Sequence, residues 1–468
     1  MRRSKWLVLG LLAFVQFMLV VDITVVQIAL PSIGSDLGLG REALTWVVTT
    51  YTLVFGGLMI LGGRLADLFG ARRTLLIGLV IFTAASAAAG LAGSGALLIG
   101  GRAAQGLGAA LLSPAALSII TTTFHDKDRS RALGVWAAIG GAGAAAGVLL
   151  GGLLTAGPGW QWVFFVNVPI GVAGLVLLPR LVPDQYGAGQ RSIDVPGALL
   201  VTAATGLLIY GLVNAGEAGW GSASTVGTLL AAAAAYGLFL VVEAKTALPL
   251  MDLRTMSRRP VVSGMFLMLV ATGLLLGLFF LTSPLLQEVR GYSALETGLV
   301  FLPVALAITA GAQVGGHLMG RFGGRAVAAG SFVVTAIGAA LLTQLGESIW
   351  TGVLPGFLLA AFGIGPVFVT ATSTTLANVP SAEAGVASGV VTTFHELGGS
   401  IGVAVMSTVA AASLAGPVVS GTDGFAAGYA ACAVAAAVSG AVALVLVPGG
   451  KAVAVAGHGH GHGHGHGH

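Results

Sequence analysis

Apolar runs long enough to cross a bilayer, about 20 residues each, alternate along this chain with short polar segments. They fall at 7–30, 43–63, 74–93, 96–123, 132–154, 162–180, 194–214, 225–243, 260–283, 298–319, 326–345, 351–377, 385–412 and 425–447. Each run predicts a helix, because a backbone in hydrocarbon must satisfy its own hydrogen bonds. Fourteen spans are an even number, so both termini are expected on one side.

The polar segments test that count. With the N-terminus in the cytoplasm, the inner segments hold Arg2, Arg3, Lys5, Arg64, Arg72, Arg73, Lys127, Arg129, Arg131, Arg180, Arg191, Lys245, Arg254, Arg258, Arg259, Arg321, Arg325 and Lys451. Only Arg41 and Arg290 fall outside, and Arg102 lies within a run. One span more or fewer would invert every later loop, so the bias supports fourteen crossings and cytoplasmic termini. The basic start, Met1-Arg2-Arg3-Ser4-Lys5, is followed by no small-residue cleavage site and reads as the flank of a retained first helix.

Composition agrees. Hydrophobic residues make up 56% of the chain and charged residues 8%, against about 25% charged in soluble domains. The net charge of +4 follows the loops, so no nucleic-acid partner is expected. Cys432 is the single cysteine, which excludes an intrachain disulfide and a thiolate metal site. No Gly-x-x-x-x-Gly-Lys-Ser/Thr loop is present, which argues against direct ATP drive. No metal-ligand array, Ser/His pairing or HExxH occurs in the spans, so neither an enzyme nor a metal site is expected. The tail from Gly457 alternates Gly and His through six histidines. It reads either as a loose divalent-metal tract or as a purification tag. The Ala/Gly-rich, Arg-over-Lys usage fits a high-GC bacterium, and hence the bacterial cytoplasmic (inner) membrane.

The chain also repeats itself. Gly62-Gly63-Arg64-Leu65-Ala66-Asp67-Leu68-Phe69-Gly70-Ala71-Arg72 returns, degraded, as Gly315-Gly316-His317-Leu318-Met319-Gly320-Arg321-Phe322-Gly323-Gly324-Arg325, an offset of 253 residues. The same offset carries Pro31 onto Pro284. The organisation expected is an all-α polytopic protein: a six-helix bundle over 1–181, two linking transmembrane helices and a cytoplasmic loop over 182–259, a second six-helix bundle over 260–447, and a cytoplasmic tail over 448–468. Parallel halves around a midplane site are a common transporter plan.

These residues resemble the major facilitator superfamily, and within it the fourteen-helix EmrB/QacA-type drug:proton antiporters. The loop Gly63-Arg64-Leu65-Ala66-Asp67-Leu68-Phe69-Gly70-Ala71-Arg72-Arg73 is similar to the superfamily's most widespread motif. Val21-Asp22-Ile23-Thr24-Val25-Val26-Gln27-Ile28-Ala29-Leu30-Pro31 resembles the fourteen-helix group's own motif, with Gln27 where Asn is usual. Trp160-Gln161-Trp162-Val163-Phe164-Phe165-Val166-Asn167-Val168-Pro169-Ile170-Gly171 resembles its entry into helix 6, with Gln161 in place of Arg. Helix 5 has Gly143-x-x-x-Gly147-Val148-x-x-Gly151-Gly152, similar to the antiporter motif with Val148 in place of Pro. The resemblance implies a major facilitator fold of two six-helix bundles plus two extra helices, and proton-coupled export.

Ionisable groups inside spans cost about 2.5–3.5 kcal/mol each by insertion scales, so they need a reason. Asp22 lies within helix 1, where the resemblance implies a coupling or substrate-contact role; a carboxylate neutralised by a neighbouring helix is the competing reading. Arg102, in a segment resembling the family's helix-4 motif, shares a helical face with Gln105. It is expected to pair with a carboxylate and release it on protonation, or else to snorkel outward. Glu396 sits mid-helix in a polar stripe with Thr392, Ser400 and Ser407, and is expected as a second proton or cation site or as a buried hydrogen-bonded Glu. His395, beside it, points about 100° away and is a further candidate for coupling. Thr24, Gln27, Trp46, Tyr51, Gln105, Thr392 and Ser400 are candidates for the substrate pathway. Gly63, Arg64, Asp67, Gly70, Arg72 and Arg73 form the expected cytoplasmic gate motif, in which Asp67 pairs with Arg. Gly143, Gly147, Gly151 and Gly152 of helix 5 form a close-packing groove, expected as the rocking interface between the halves.

The function expected is a proton-coupled antiporter that exports small amphipathic drugs or antibiotics. It would act as a monomer, with no cofactor and the proton gradient as energy source. A dedicated exporter of one endogenous metabolite is the alternative, and a channel or membrane sensor stands behind both. Two membrane-embedded carboxylates suit a neutral or monovalent substrate better than a dication.

Overall fold

The structure, a computed structural model, describes residues 2–124, 126–182, 194–246, 249–345, 348–380, 383–410 and 422–449. The Gly-His tail, Arg191 and Lys451 lie outside the described residues. The long helices are α1 (Arg2–Leu37), α2 (Arg41–Phe69), α3 (Ala71–Gly90), α4 (Gly95–Thr123), α5 (Asp126–Ala156), α6 (Asn167–Leu181) and α7 (Val195–Ala218). They continue as α8 (Ala223–Lys245), α9 (Arg259–Pro284), α10 (Ala294–Phe322), α11 (Gly324–Leu342), α12 (Leu354–Leu376), α13 (Ala384–Val409) and α14 (Asp423–Leu446). A one-turn helix, Trp162–Phe165, leads into α6.

Among the described residues, 12 helices are long and apolar enough to cross a membrane. That is two fewer than the fourteen runs predict. The remaining two helices are α5, of 31 residues, and α13, of 26 residues. Both have spanning length. α5 opens with Asp126, Lys127, Asp128 and Arg129, and α13 carries His395 and Glu396 at its centre, which lowers its mean hydropathy.

The repeat is visible in helix ends. α2 and α3 cover 41–69 and 71–90, and α10 and α11 begin 253 residues later, at Ala294 and Gly324. Both pairs turn on a glycine with positive φ, Gly70 at 91° and Gly323 at 81°, a conformation that favours glycine.

In the first half α1 packs on α5, and α4 on α2 and α3; in the second, α9 packs on α13 and α12, and α12 on α10 and α11. The halves meet where α2 lies against α13 and α5 against α10. α7 packs on α8 and also on both α2 and α13. At the base of this α7–α8 hairpin, Asp194 caps α7 through the Gly197 amide at 3.0 Å. Glu243 of α8, buried, accepts from the Met251 amide at 2.6 Å.

Basic residues gather at one end of the bundle. Arg64 reaches the Pro249 carbonyl at 3.4 Å, Arg72 the Pro179 carbonyl at 2.7 Å, and Arg325 the Val447 carbonyl at 2.8 Å. At this end one apolar core spans both halves, joining Leu9, Leu75 and Ile120 to Met256, Leu376 and Val390. At the opposite end the halves have separate cores, around Val25 and Phe164 in one and Phe301 and Phe357 in the other. The bundle is therefore sealed at the basic end and parted at the other.

Candidate functional site

Between the halves lies a cavity of about 700 Å³, lined from α1, α2, α4, α5, α7, α9, α12 and α13. Most of its wall is apolar, with Leu19, Ile23, Trp136, Phe279, Phe280 and Phe368 among the larger contributors. The polar groups are Gln16, Thr24 and Gln27 of α1, Thr49 and Thr52 of α2, Ser113 of α4, Thr272 of α9 and Thr372 of α12, with Thr392, His395, Glu396, Ser400 and Ser407 of α13. An apolar pocket of this size with few polar groups is suited to a small organic molecule. Gln16 Oε1 is buried and has no hydrogen-bond partner among the described residues.

Among the described residues, Glu396 is the one carboxylate in this wall. His395 Nδ1 stands 3.3 Å from Glu396 Oε1, and both side chains remain partly accessible. The His395 ring lies beside Phe368, 6.0 Å between centroids. Thr24, Gln27, Thr392 and Ser400 line the cavity, and His395 joins them although its helical position turns it away from Glu396.

Behind α1, out of the cavity wall, is a second polar site. Asp22 and Arg102 are each 1% exposed and form an ion pair through Arg102 Nη1 and Asp22 Oδ2. Asp22 Oδ1 accepts from Gln105 Nε2 at 3.0 Å and from Asn167 Nδ2 at 2.7 Å. Gln105 Oε1 accepts from Arg102 Nη1 at 2.9 Å, and Gln105 Nε2 also donates to Ser86 Oγ at 2.7 Å. Arg102 Nε donates to the Val47 carbonyl at 3.1 Å, and its guanidinium lies 4.2 Å above the Tyr51 ring. Five helices thus replace the water both charges have lost. Three hydrogen bonds to the Asp22 carboxylate and the contacts of the Arg102 guanidinium are what make a buried pair tolerable, although Asn167 Oδ1 and the Tyr51 hydroxyl find no partner among the described residues. Arg102 is not a snorkelling residue.

Three expected pathway residues lie elsewhere. Tyr51 and Gln105 belong to this buried network: the Tyr51 ring faces Arg102 of α4, and the Gln105 amide faces Asp22 of α1 and Ser86 of α3. Trp46 stacks on Tyr210 of α7, with centroids 6.1 Å apart. Asn167 and Ser86 were missed as network members. Asn167 stands within the helix-6 entry segment with nothing to mark it as a ligand of Asp22, and a single Ser in an apolar run carries no signal. Gln16 was missed too, although it precedes Thr24 and Gln27 on one face of α1.

Among the described residues, Asp67 makes no ion pair with an arginine. Its Oδ1 accepts from the Gly385 amide at 2.7 Å and its Oδ2 from the Val386 amide at 2.8 Å. These are first-turn amides of α13, which has no side-chain cap of its own from Glu383. A helix N-terminus offers free N–H groups and partial positive charge, so a carboxylate from the other half caps it. Gly63 permits the approach, since a Cβ there would collide with the Gly385 carbonyl.

The helix-5 glycines also differ from expectation. A Cβ on Gly143 would lie 2.8 Å from Val20 Cβ, one on Gly147 would overlap Thr24, and one on Gly151 would lie 2.9 Å from Ile28 Cβ. Their groove seats α1 of the same half. Gly152 has open space before it. The face of α5 turned to the other half carries Gly134, against Gln313 of α10.

The puromycin resistance protein pur8 of Streptomyces alboniger is 38% identical over 421 residues, covering 88% of this chain and 83% of that protein. The cephamycin export protein CmcT of Amycolatopsis lactamdurans is 39% identical over 408 residues, covering 86% and 84%. The human organic anion transporter MFSD10 shares the fold, with a TM-score of 0.67 at 16% identity, over 94% of this chain and 99% of that one. The family model for the Major Facilitator Superfamily matches residues 12–403. The chain is a multi-pass membrane protein and belongs to the Major Facilitator Superfamily.

Proposed function

We propose that this protein is a proton-coupled antiporter that exports small amphipathic drugs or antibiotics across the bacterial cytoplasmic membrane. The observation that carries the reading is the separation of two charged sites: Glu396 in the wall of an apolar cavity, and Asp22–Arg102 buried behind it. The relatives named for puromycin resistance and cephamycin export support a drug-like substrate.

The topology that goes with it has fourteen crossings of the EmrB/QacA type, two six-helix bundles with α7 and α8 inserted between them. α5 and α13 are then the two additional spans, and both termini lie in the cytoplasm with the basic end. The structure then has its cavity facing outward, latched at the cytoplasmic side by Asp67 on α13. The protein works as a monomer with no cofactor.

Substrate enters the inward-facing cavity from the cytoplasm or inner leaflet and leaves on the other side. A proton from outside that reaches Asp22 removes its charge and leaves Arg102 without its counter-ion. The five-helix network must then rearrange, and this biases the rocking of the halves. The membrane potential supplies about 2.3 kcal/mol per charge per 100 mV. A hundredfold gradient of a neutral compound costs about 2.8 kcal/mol, at about 1.4 per tenfold. One proton with a modest pH gradient is therefore of the right size.

A second reading, a dedicated exporter of one endogenous antibiotic, is favoured by both relatives being named for a single antibiotic class. The test is a resistance panel in an efflux-deficient bacterium, comparing the wild type with Asp22→Asn at matched expression. Resistance to several unrelated compounds that vanishes in the variant supports the antiporter. Resistance to a single class supports the dedicated exporter, and resistance to none contradicts export of drug-like compounds.

A further inference from the structure

One wall of the cavity comes from outside both repeats. α7 lies between the two repeated units, yet its Ile209, Leu212 and Val213 line the cavity beside residues of both halves. Its backbone lies directly on α2: a Cβ on Gly57 would stand 3.4 Å from the Thr202 carbonyl oxygen and 3.7 Å from the Gly206 nitrogen. At the neighbouring Gly56 the missing side chain leaves room for Ile209 Cδ1, and a Cβ there would be 3.7 Å from Glu396 Cβ. So α2, α7 and α13 converge at Gly56, with Glu396 in the junction. Ile209, Leu212 and Leu397 of α13 form one buried apolar cluster there. The outer end is tied as well, since Trp220 Nε1 donates to Thr408 Oγ1 of α13 at 2.7 Å. A helix that merely linked two bundles would need none of these contacts with both.

We propose that α7 is a substrate-contacting wall, in which Ile209, Leu212 and Val213 set how bulky an apolar group is accepted beside Glu396. Ile209 fills the Gly56 notch, which also borders Glu396, so it limits the space around a cationic or polar head. Leu212 and Val213, one turn further out, limit the apolar part. Selection by shape in an apolar pocket changes discrimination by roughly 10–200-fold per methylene-sized step.

This inference rests on the export reading, so its test has one arm independent of transport. In nanodiscs, a Cys432→Ala chain carrying Val213→Cys is treated with a water-soluble maleimide, with Leu238→Cys on the lipid-facing side of α8 as comparison. Cys432 is buried at 1% exposure, so its removal leaves a silent background. Labelling of Val213→Cys at least tenfold faster than Leu238→Cys is expected; equal or slower labelling overturns the wall. In the second arm, cells carrying Ile209→Ala or Ile209→Phe are challenged with ethidium, puromycin and tetraphenylphosphonium. Ile209→Phe is expected to lower resistance to tetraphenylphosphonium at least fourfold more than to ethidium, and Ile209→Ala to shift the ratio the other way. Equal changes for all three compounds overturn the selectivity role. If the wild type exports none of them, the export reading fails and the labelling arm alone decides whether α7 lines the cavity.

Discussion

In the first half, Asp22 of α1 and Arg102 of α4 are buried against each other with Gln105 and Asn167 around them. The positions 253 residues later are Leu275 and Pro355, and no charge pair can form there. The reverse holds one helix on. Gly143 of α5 receives Val20 of α1, whereas its counterpart in the second half is Glu396, in the cavity wall. Asp67 likewise caps α13 across the interface, while Gly320 stands at its equivalent position with open space around it. The two bundles share a backbone plan but have divided the charges. One half keeps an ion pair solvated by protein and out of reach of substrate; the other offers a single accessible carboxylate to whatever enters. A proton carrier benefits from the first environment, where a change of charge forces a rearrangement. A substrate counter-ion needs the second.

Removing Arg102 should break this comparison most severely. Arg102→Ala leaves a buried carboxylate without its cation, a loss of about 3–5 kcal/mol. Thermal unfolding in detergent should shift sharply downward, and gradient-driven transport should fall below detection. Asp22→Asn is milder for folding, because the amide can keep accepting from Gln105 or Asn167. Gradient-driven accumulation in proteoliposomes should nonetheless drop at least tenfold, with substrate binding retained. Glu396→Gln sharpens the contrast from the other side. Binding of a monovalent cationic compound should weaken about tenfold, which is about 1.4 kcal/mol, while a neutral compound measured in parallel should change little. The smallest effect is expected at Asp67→Asn. It keeps one acceptor oxygen for the α13 amides but loses the charge, for about 1 kcal/mol. Site-specific distance measurements between the α2–α3 and α12–α13 loops should show a several-fold rise in the form open at the basic end.

Much of this plan is legible in the sequence. The apolar runs locate the helices, and the Gly62–Arg72 repeat locates the turns, down to the shared positive-φ glycines at 70 and 323. The pairing of Arg102 with a carboxylate follows from the cost of an unpaired charge in a span. What could not be read is which helix faces lie side by side. Tyr51 and Gln105 are polar residues within spans, as Thr24 and Gln27 are, yet only the latter face the cavity. Asp67 has basic neighbours in its own loop, but its partners are backbone amides more than 300 residues away, and an amide leaves no mark in composition. α7 reads as a linker because it stands outside the repeat, and its place between α2 and α13 emerges only from packing. The glycines of α5 announce a close approach without naming the helix that makes it.

The most direct test is to separate binding from drive in the same vesicles. Purified wild type, Asp22→Asn and Glu396→Gln would be reconstituted, and a cationic compound followed by exchange without a gradient and by accumulation under an imposed pH gradient. The division of charges predicts that Asp22→Asn exchanges at close to the wild-type rate but does not accumulate. It also predicts that Glu396→Gln lowers both together for the cation, at concentrations below saturation, and keeps both for a neutral compound. Loss of exchange in Asp22→Asn, or intact exchange with lost accumulation in Glu396→Gln, would contradict it.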